Sequence, residues 1–492
     1  MEKLAAADAG FLYSETGKCT SNIASVNVLE LPERVTATEY ISTLKTYLSE
    51  RAHLVAYMQR KLAFVPGNWD HPVWVPDENF DINNHVIEYP VPAPGGRAEM
   101  EHAVASIHEI RMPLERPLWA WHILTGLEGN KLAIYNQAHH AALDGASGNA
   151  AYVTLMDETP DHPEIAPVTN DMAAPEEFSM LSMFEQSFQN FLRFQMDSAP
   201  RMMGTVEASR RLMIRALDPS KDFGAYAKIA PKTPFNRQIS EKRAWATAEI
   251  PLLELKTMGK KVDATINDMV MAICAGGLRE YLIRHDALPE TGLIAGCPVS
   301  LRKPGDTKPG TQVTMMNVDL GTEIENPIER IIAVRASSAT AKEIVSDMAS
   351  AIENNASIPG MPAIMDAQMN AAESLGLANY VRGPINVVIS NVPGPREALY
   401  ANQAQMQTHY PVSIAAHGMA LNITVQSYRN QLFMGITACA ESVPDLETLR
   451  DDILKAYRDL NQRLLPNISE FKPKYVAVHT GPDQEMQQKK VA

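Results

Sequence analysis

The sequence predicts a mixed α/β fold in two lobes joined by a helical linker, and three observations carry that prediction. A chain of 492 residues exceeds what one hydrophobic core usually organises. Short apolar runs closed by Gly, Pro, Asn or Asp alternate with segments of helical periodicity in both halves of the chain. Between the halves, from Asp157 to Thr233, the character changes, opening with Pro160, Pro163 and Pro167 in an acidic loop. The expected division is 1–156 for the first lobe, 157–235 for the linker, 236–470 for the second lobe and 471–492 for a polar tail.

Composition narrows the class. Hydrophobic residues at 45% and charged residues at 21% describe a globular protein, and a formal net charge of −14 argues against nucleic acid as a general partner. No apolar run approaches the roughly 20 residues needed to span a bilayer, and Met1, Glu2 and Lys3 lead into no apolar signal core. The expected location is therefore the cytoplasm, either free or peripheral on the inner membrane or a lipid droplet. Four cysteines, Cys19, Cys274, Cys297 and Cys439, share no CxxC spacing and read as reduced core thiols.

Taken in order, 24–31 is an alternating strand, 37–49 a helix and 99–110 a second helix after the stop at Pro92, Pro94, Gly95 and Gly96. The segment PLERPLW (113–119) leads into a strand over 120–127, and Gly129 and Asn130 turn it into the next strand, ending at His139 and His140. In the linker, Met180, Phe184, Phe188, Phe191 and Gln195 fall at helical spacings, a stripe that suits either core or membrane. A further helix is expected over 206–217. In the second half, 243–250 is a strand and 252–260 a short helix. Thr265 and Asp268 then form a variant capping box for a long apolar helix, which makes Asp268 structural and leaves Asn267 free to project. A buried strand over 292–299 ends in PVSLR (298–302), followed by Lys303 and Lys308 in a Pro/Gly-rich loop that could take a coenzyme phosphate or simply be solvated. Helices over 328–352 and 363–375 precede a strand over 386–391, strands over 421–428 and 432–437, and a last helix over 445–464.

The motif HHAALDG (139–145) carries the chemistry. Adjacent residues on an extended backbone point to opposite sides, so only one of His139 and His140 can enter a given cavity. They are not a metal pair, because no HExxH spacing occurs and no metal is expected. A general base fits better, since imidazole titrates near neutrality. Asp144 can orient the histidine, or it can hold the turn through a cation and cap the helix beginning at Gly145. An isolated HHxxxD is equally an ordinary strand-to-helix turn, so the neighbouring motifs decide. A serine hydrolase is a poor fit, since Ser147 sits in GASG and not in a GxSxG elbow.

The ordered set HHAALDG, PLERPLW, TINDMV, PVSLR, SNVPGP and ALNITVQSY resembles the bacterial wax ester synthase/acyl-CoA:diacylglycerol acyltransferase family from about Ala6 to Leu464. HHxxxDG alone is shared with chloramphenicol acetyltransferase and condensation domains. The resemblance implies two chloramphenicol-acetyltransferase-like lobes with a tunnel between them, acyl-CoA as co-substrate, a fatty alcohol or diacylglycerol as acceptor, and no cofactor. It makes His140 the catalytic base, His139 the supporting first histidine, Asp144 a structural aspartate pairing with Arg302, and Asn267 an aid to the active centre. Pro117, Leu118, Trp119, Asn391, Pro393 and Gly394 match segments placed near the tunnel, although a proline-bounded indole more often serves packing. One departure is 23–28, IASVNV, where many members carry a Met-His-Val-type sequence. Two other readings share the scaffold: a non-catalytic lipid-binding or droplet-coating protein, and a condensation-type acyltransferase using another acceptor.

Overall fold

The computed structural model describes residues 2–143, 145–161, 183, 185, 187–190, 192, 196, 198–300, 313–352 and 360–466. The first half contains β1 (Glu2–Lys3), α1 (Ala6–Tyr13), β2 (Asn22–Glu30), α2 (Ala37–Arg51), β3 (Arg60–Ala63), β4 (Val73–Pro76), β5 (Val86–Pro90), α3 (Arg97–His108), β6 (Trp119–Thr125), β7 (Lys131–His139) and α4 (Gly145–Leu155). Helix α5 (Ser198–Leu217) follows, then β8 (Arg243–Pro251), α6 (Leu252–Lys261), α7 (Ile266–Arg284), β9 (Ile294–Ser300), β10 (Val313–Asp319), α8 (Pro327–Ile352) and α9 (Met361–Ser374). The chain closes with β11 (Val387–Val392), β12 (Tyr400–Ala401), β13 (Ala404–Met406), β14 (Tyr410–Val412), β15 (Leu421–Tyr428), β16 (Gln431–Cys439) and α10 (Leu446–Leu464).

Two mixed sheets organise most of these elements, and β1, β4 and β3 form a small antiparallel third sheet. The second has the order β10-β9-β11-β15-β16-β8, with β11 parallel to both β9 and β15. The first has the order β12-β13-β2-β7-β6-β5, with β14 also on β2. Strand β7 lies at its centre, and Leu132, Ala133, Ile134 and Tyr135 are fully buried, as a strand covered on both faces requires. Helix α10 buries Leu446, Leu449, Ile453, Tyr457 and Leu460, the helical stripe that its sequence carries, and packs on α7.

The lobes are not divided along the sequence as cleanly as the linear reading suggests. Strands β12, β13 and β14 come from the second half, yet Met406 pairs with Leu29 and Tyr410 with Val26 on β2 of the first sheet. They cover an edge of β2 whose amide and carbonyl groups would otherwise lack ladder partners. Strand β14 also lies on β16 at Gly435, where any Cβ would overlap the Pro411 carbonyl, and the Trp245 indole donates to that same oxygen at 3.1 Å. Across the seam, the Thr247 amide donates to Glu101 at 2.7 Å, Arg243 donates to the Lys18 carbonyl at 2.6 Å, and His108 Nε2 meets the Ser413 carbonyl at 2.9 Å.

Several stretches differ from expectation, among them β3, β5 and β10, which form where no element was assigned. Residues 6–13 carry no periodic signal strong enough to assign, yet they form α1, which buries Ala9, Leu12 and Tyr13. Helix α5 starts at Ser198, well before the expected 206. Of the linker stripe, Met180, Phe184, Phe191 and Gln195 fall outside the described residues, while Phe188 is 63% exposed. No helix among the described residues is long and apolar enough to cross a membrane.

Candidate active site

The site grows from the end of β7. The register sets Asn22 opposite His139, and one residue further the His140 amide donates to the Ser21 carbonyl at 2.9 Å. The chain then folds back, with the Ala142 amide on the His139 carbonyl at 2.9 Å. This turn sends the paired side chains to different surroundings. His139 is fully buried, whereas His140 is only half-buried.

His139 is locked in one tautomer. Its Nδ1 accepts the Ala141 amide at 3.0 Å, so the ring proton sits on Nε2, which faces Glu15 Oε1 at 3.4 Å. Glu15 is itself buried and accepts the Ser21 amide at 2.8 Å, while Arg111 Nη2 lies 3.0 Å from its other oxygen. Burial pushes the Glu15 carboxyl up, but His139, the Ser21 amide and the Arg111 charge outweigh it and hold it below the usual range. A buried carboxylate thus anchors both His139 and Ser21, the residue that holds the His140 backbone.

His140 lies flat against Phe11, with ring centroids 3.7 Å apart and planes 12° from parallel. Phe11 is fixed in turn, because its carbonyl accepts Ser21 Oγ at 2.7 Å and Ser14 Oγ at 3.1 Å. Ala141 packs with Leu4, Ala9, Leu12, Tyr13, Leu62 and Leu118, and Met365 of α9 closes over that cluster. Helix α9 is tied down where Glu373 meets His417 Nε2 at 2.9 Å and the Lys18 amide at 3.2 Å.

The other expected residues fall in several places. Asn267 occupies the first turn of α7, half-buried, and its side chain makes no hydrogen bond among the described residues. Asp268 closes the capping box with Thr265, accepting its amide at 3.0 Å and its hydroxyl at 2.7 Å. Pro117, Leu118 and Trp119 are buried behind the histidine strand. The Leu118 carbonyl accepts the His139 amide at 3.1 Å, and the Trp119 indole donates to the Met58 carbonyl at 2.9 Å. These residues brace β7. Asn391 and Pro393 sit at the end of β11, and Gly394 passes so close to Ser427 that a Cβ would overlap its carbonyl. Gly145 opens α4. Asp144, Arg302, Lys303 and Lys308 lie outside the described residues. Among the described residues no group of three His, Cys, Asp or Glu could hold a metal ion.

Glu15, Phe11, Ser21 and Arg111 escaped the sequence reading. Their only signal is a carboxylate directly after the apolar FLYS run, and the pairing of Glu15 with His139 spans too much chain to be read from spacing.

Residues 4–270 match the model of the wax ester synthase/diacylglycerol acyltransferase catalytic domain, and residues 309–461 match the C-terminal domain of the same family. The chain belongs to that family. This acyltransferase is 30% identical over 464 residues to a Mycobacterium tuberculosis protein named as a diacylglycerol O-acyltransferase, covering 94% of this chain and 90% of the relative. It is 31% identical over 464 residues to a similarly named Mycobacterium bovis protein, covering 92% and 89%. Among solved structures, the wax ester synthase/diacylglycerol acyltransferase from Marinobacter aquaeolei VT8 superposes with a TM-score of 0.67 at 25% identity, covering 94% of this chain and all 100% of that one. The starter condensation domain of rhizomide synthetase shares the fold at 14% identity, with a TM-score of 0.54 over 94% of this chain and 93% of that domain.

Proposed function

We propose that this acyltransferase moves a fatty acyl group from acyl-CoA to a long-chain alcohol, giving a wax ester, or to diacylglycerol, giving triacylglycerol, with His140 as the general base. The observation that carries the reading is the asymmetry of the histidine pair. One ring is buried and locked, and its neighbour is half-buried and stacked on Phe11 at 3.7 Å.

An aliphatic alcohol hardly ionises near neutral pH, so His140 takes its proton as the oxygen bonds to the thioester carbonyl carbon, and no free alkoxide forms. The tetrahedral oxyanion is met by donors near the carbonyl, with Asn267 the candidate side chain. As the carbon–sulfur bond breaks, the imidazolium returns the proton to the CoA thiolate. The base and the oxyanion donors suffice for this direct transfer, so no acyl-enzyme, cofactor or metal enters the scheme. Asp144 with Arg302 is the proposed brace of the turn, and Lys303 and Lys308 the proposed CoA phosphate contacts. Acceptors of this class reside in lipid, so the enzyme is proposed to work at the surface of the inner membrane or of lipid droplets.

The test offers palmitoyl-CoA with hexadecanol and with diacylglycerol in parallel, comparing the wild type with His140→Ala. Ester formation with either acceptor is expected, falling about 10²- to 10⁴-fold in the variant. Full CoA release by His140→Ala would overturn the assignment of the base.

A further inference from the structure

Helix α9 and the turn that follows it carry an apolar promontory. Leu375, Tyr380 and Val381 are 68%, 82% and 66% exposed, an unusual cost for large apolar side chains on one short turn. Ile229, 73% exposed, adds to them from the segment on the other side of a cavity of about 170 Å³. That cavity is lined by Lys232 and Arg382 and by no carboxylate, on a chain whose net charge is −14. Neither cation makes an ion pair among the described residues, whereas the neighbouring Lys228 is taken by Asp319. Near the start of the same helix, Met365 packs on the cluster that holds Ala141, the residue after His140.

We infer that this promontory is a phospholipid site. Leu375, Tyr380, Val381 and Ile229 enter the acyl region of an anionic phospholipid surface, and Lys232 and Arg382 hold a headgroup phosphate at the mouth of the cavity. Tyrosine suits this boundary, its ring apolar and its hydroxyl wet. A cation near an anionic surface adds about 1 kcal/mol of attraction, about fivefold in partitioning. The pair of cations therefore contributes on the order of thirtyfold. The same contact brings the enzyme to the phase in which a lipid acceptor resides, so the inference rests on the acyl-transfer reading for its purpose and not for its test.

Full-length protein is floated without substrate on vesicles of phosphatidylcholine alone and of phosphatidylcholine with phosphatidylglycerol. Wild type is expected to bind the anionic vesicles. Tyr380→Ser with Val381→Ser, and separately Lys232→Ala with Arg382→Ala, are expected to lose binding about tenfold or more. Both double variants keep wild-type CoA release with a short soluble alcohol, which separates loss of docking from failure of the acyltransferase reading. The proposal is overturned if wild type ignores anionic vesicles, or if the variants bind as well as wild type. It is also overturned if light scattering shows that the Tyr380 and Val381 changes break a dimer, since the patch would then cover a second copy of the chain. Competition by free CoA but not by phosphatidylglycerol would likewise overturn it by reassigning the cations to the co-substrate.

Discussion

Glu15 and His139 face each other at 3.4 Å in a fully enclosed setting, and the same carboxylate accepts the amide of Ser21, whose carbonyl holds the backbone of His140. The candidate base is thus held through its backbone by a carboxylate from the turn after α1.

Removing that carboxylate should loosen the turn without removing the base. Glu15→Ala is expected to lower kcat about 10- to 100-fold, the order that a misplacement of about 1 Å costs, while KM for acyl-CoA stays within a few-fold. Glu15→Gln keeps an acceptor for the Ser21 amide and should recover part of the loss. Steady-state kinetics on the three proteins check this, and a pure KM effect would refute it.

The stack of Phe11 on His140 favours a ring that becomes cationic during turnover, because an aromatic face attracts a cation. Phe11→Leu fills much of the same space without that face. The expected result is a fall in the acid-limb pKa of kcat/KM and about a tenfold lower rate, with little change in thermal stability. A pH–rate profile reads both. Identical profiles would reduce Phe11 to packing.

Asn267 and Asp268 are neighbours with separable roles. Asn267→Ala removes no hydrogen bond among the described residues, so the melting temperature should hold while kcat falls about 10²- to 10³-fold if the amide meets the oxyanion. Asp268→Ala breaks the capping box with Thr265 and should cost about 1 kcal/mol of stability. Denaturant unfolding and kinetics on the same pair of proteins distinguish them.

Acid should unfold this protein through buried neutral histidines. Burial pushes His71, His108 and His122 down to about 4 and His409 down to about 3. Their ordinary value is 6.5, so between that value and the folded ones the unfolded chain binds more protons. Stability is therefore complete above pH about 6.5 and falls as pH drops towards 4, at about 1.4 kcal/mol per pH unit for each such histidine. Thermal scans at pH 7.5, 6 and 5 should show a steadily falling midpoint, and a flat profile would contradict the burial of these rings.

Local chemistry made much of the molecule legible. Apolar alternation marked the β15–β16 hairpin, and Thr265 with Asp268 marked the start of α7. The motif marks the paired histidines, but their different surroundings, buried for His139 and half-buried for His140, come from the turn that follows β7 and not from strand alternation alone. Helix α1 was not legible because its short, Ala-rich run is held by tertiary burial and not by propensity. Glu15 was missed for a related reason: its partners, His139 and Arg111, come from β7 and from the loop before β6, which only the fold brings together. The return of β12, β13 and β14 to the first sheet was equally hidden, because short strands with ordinary alternation do not announce which sheet they will join.

That return sets the order in which the chain can mature on the ribosome. The partners of strand β2, Met406 and Tyr410, are made nearly four hundred residues after it, a delay of about 20 to 80 seconds at ordinary synthesis rates. Throughout that interval the nascent first sheet presents an open edge, an invitation to wrong pairing. The histidine turn at the end of β7 rests on this same sheet, so a nascent chain released before residue 412 should be inactive and aggregation-prone, however complete its catalytic motif.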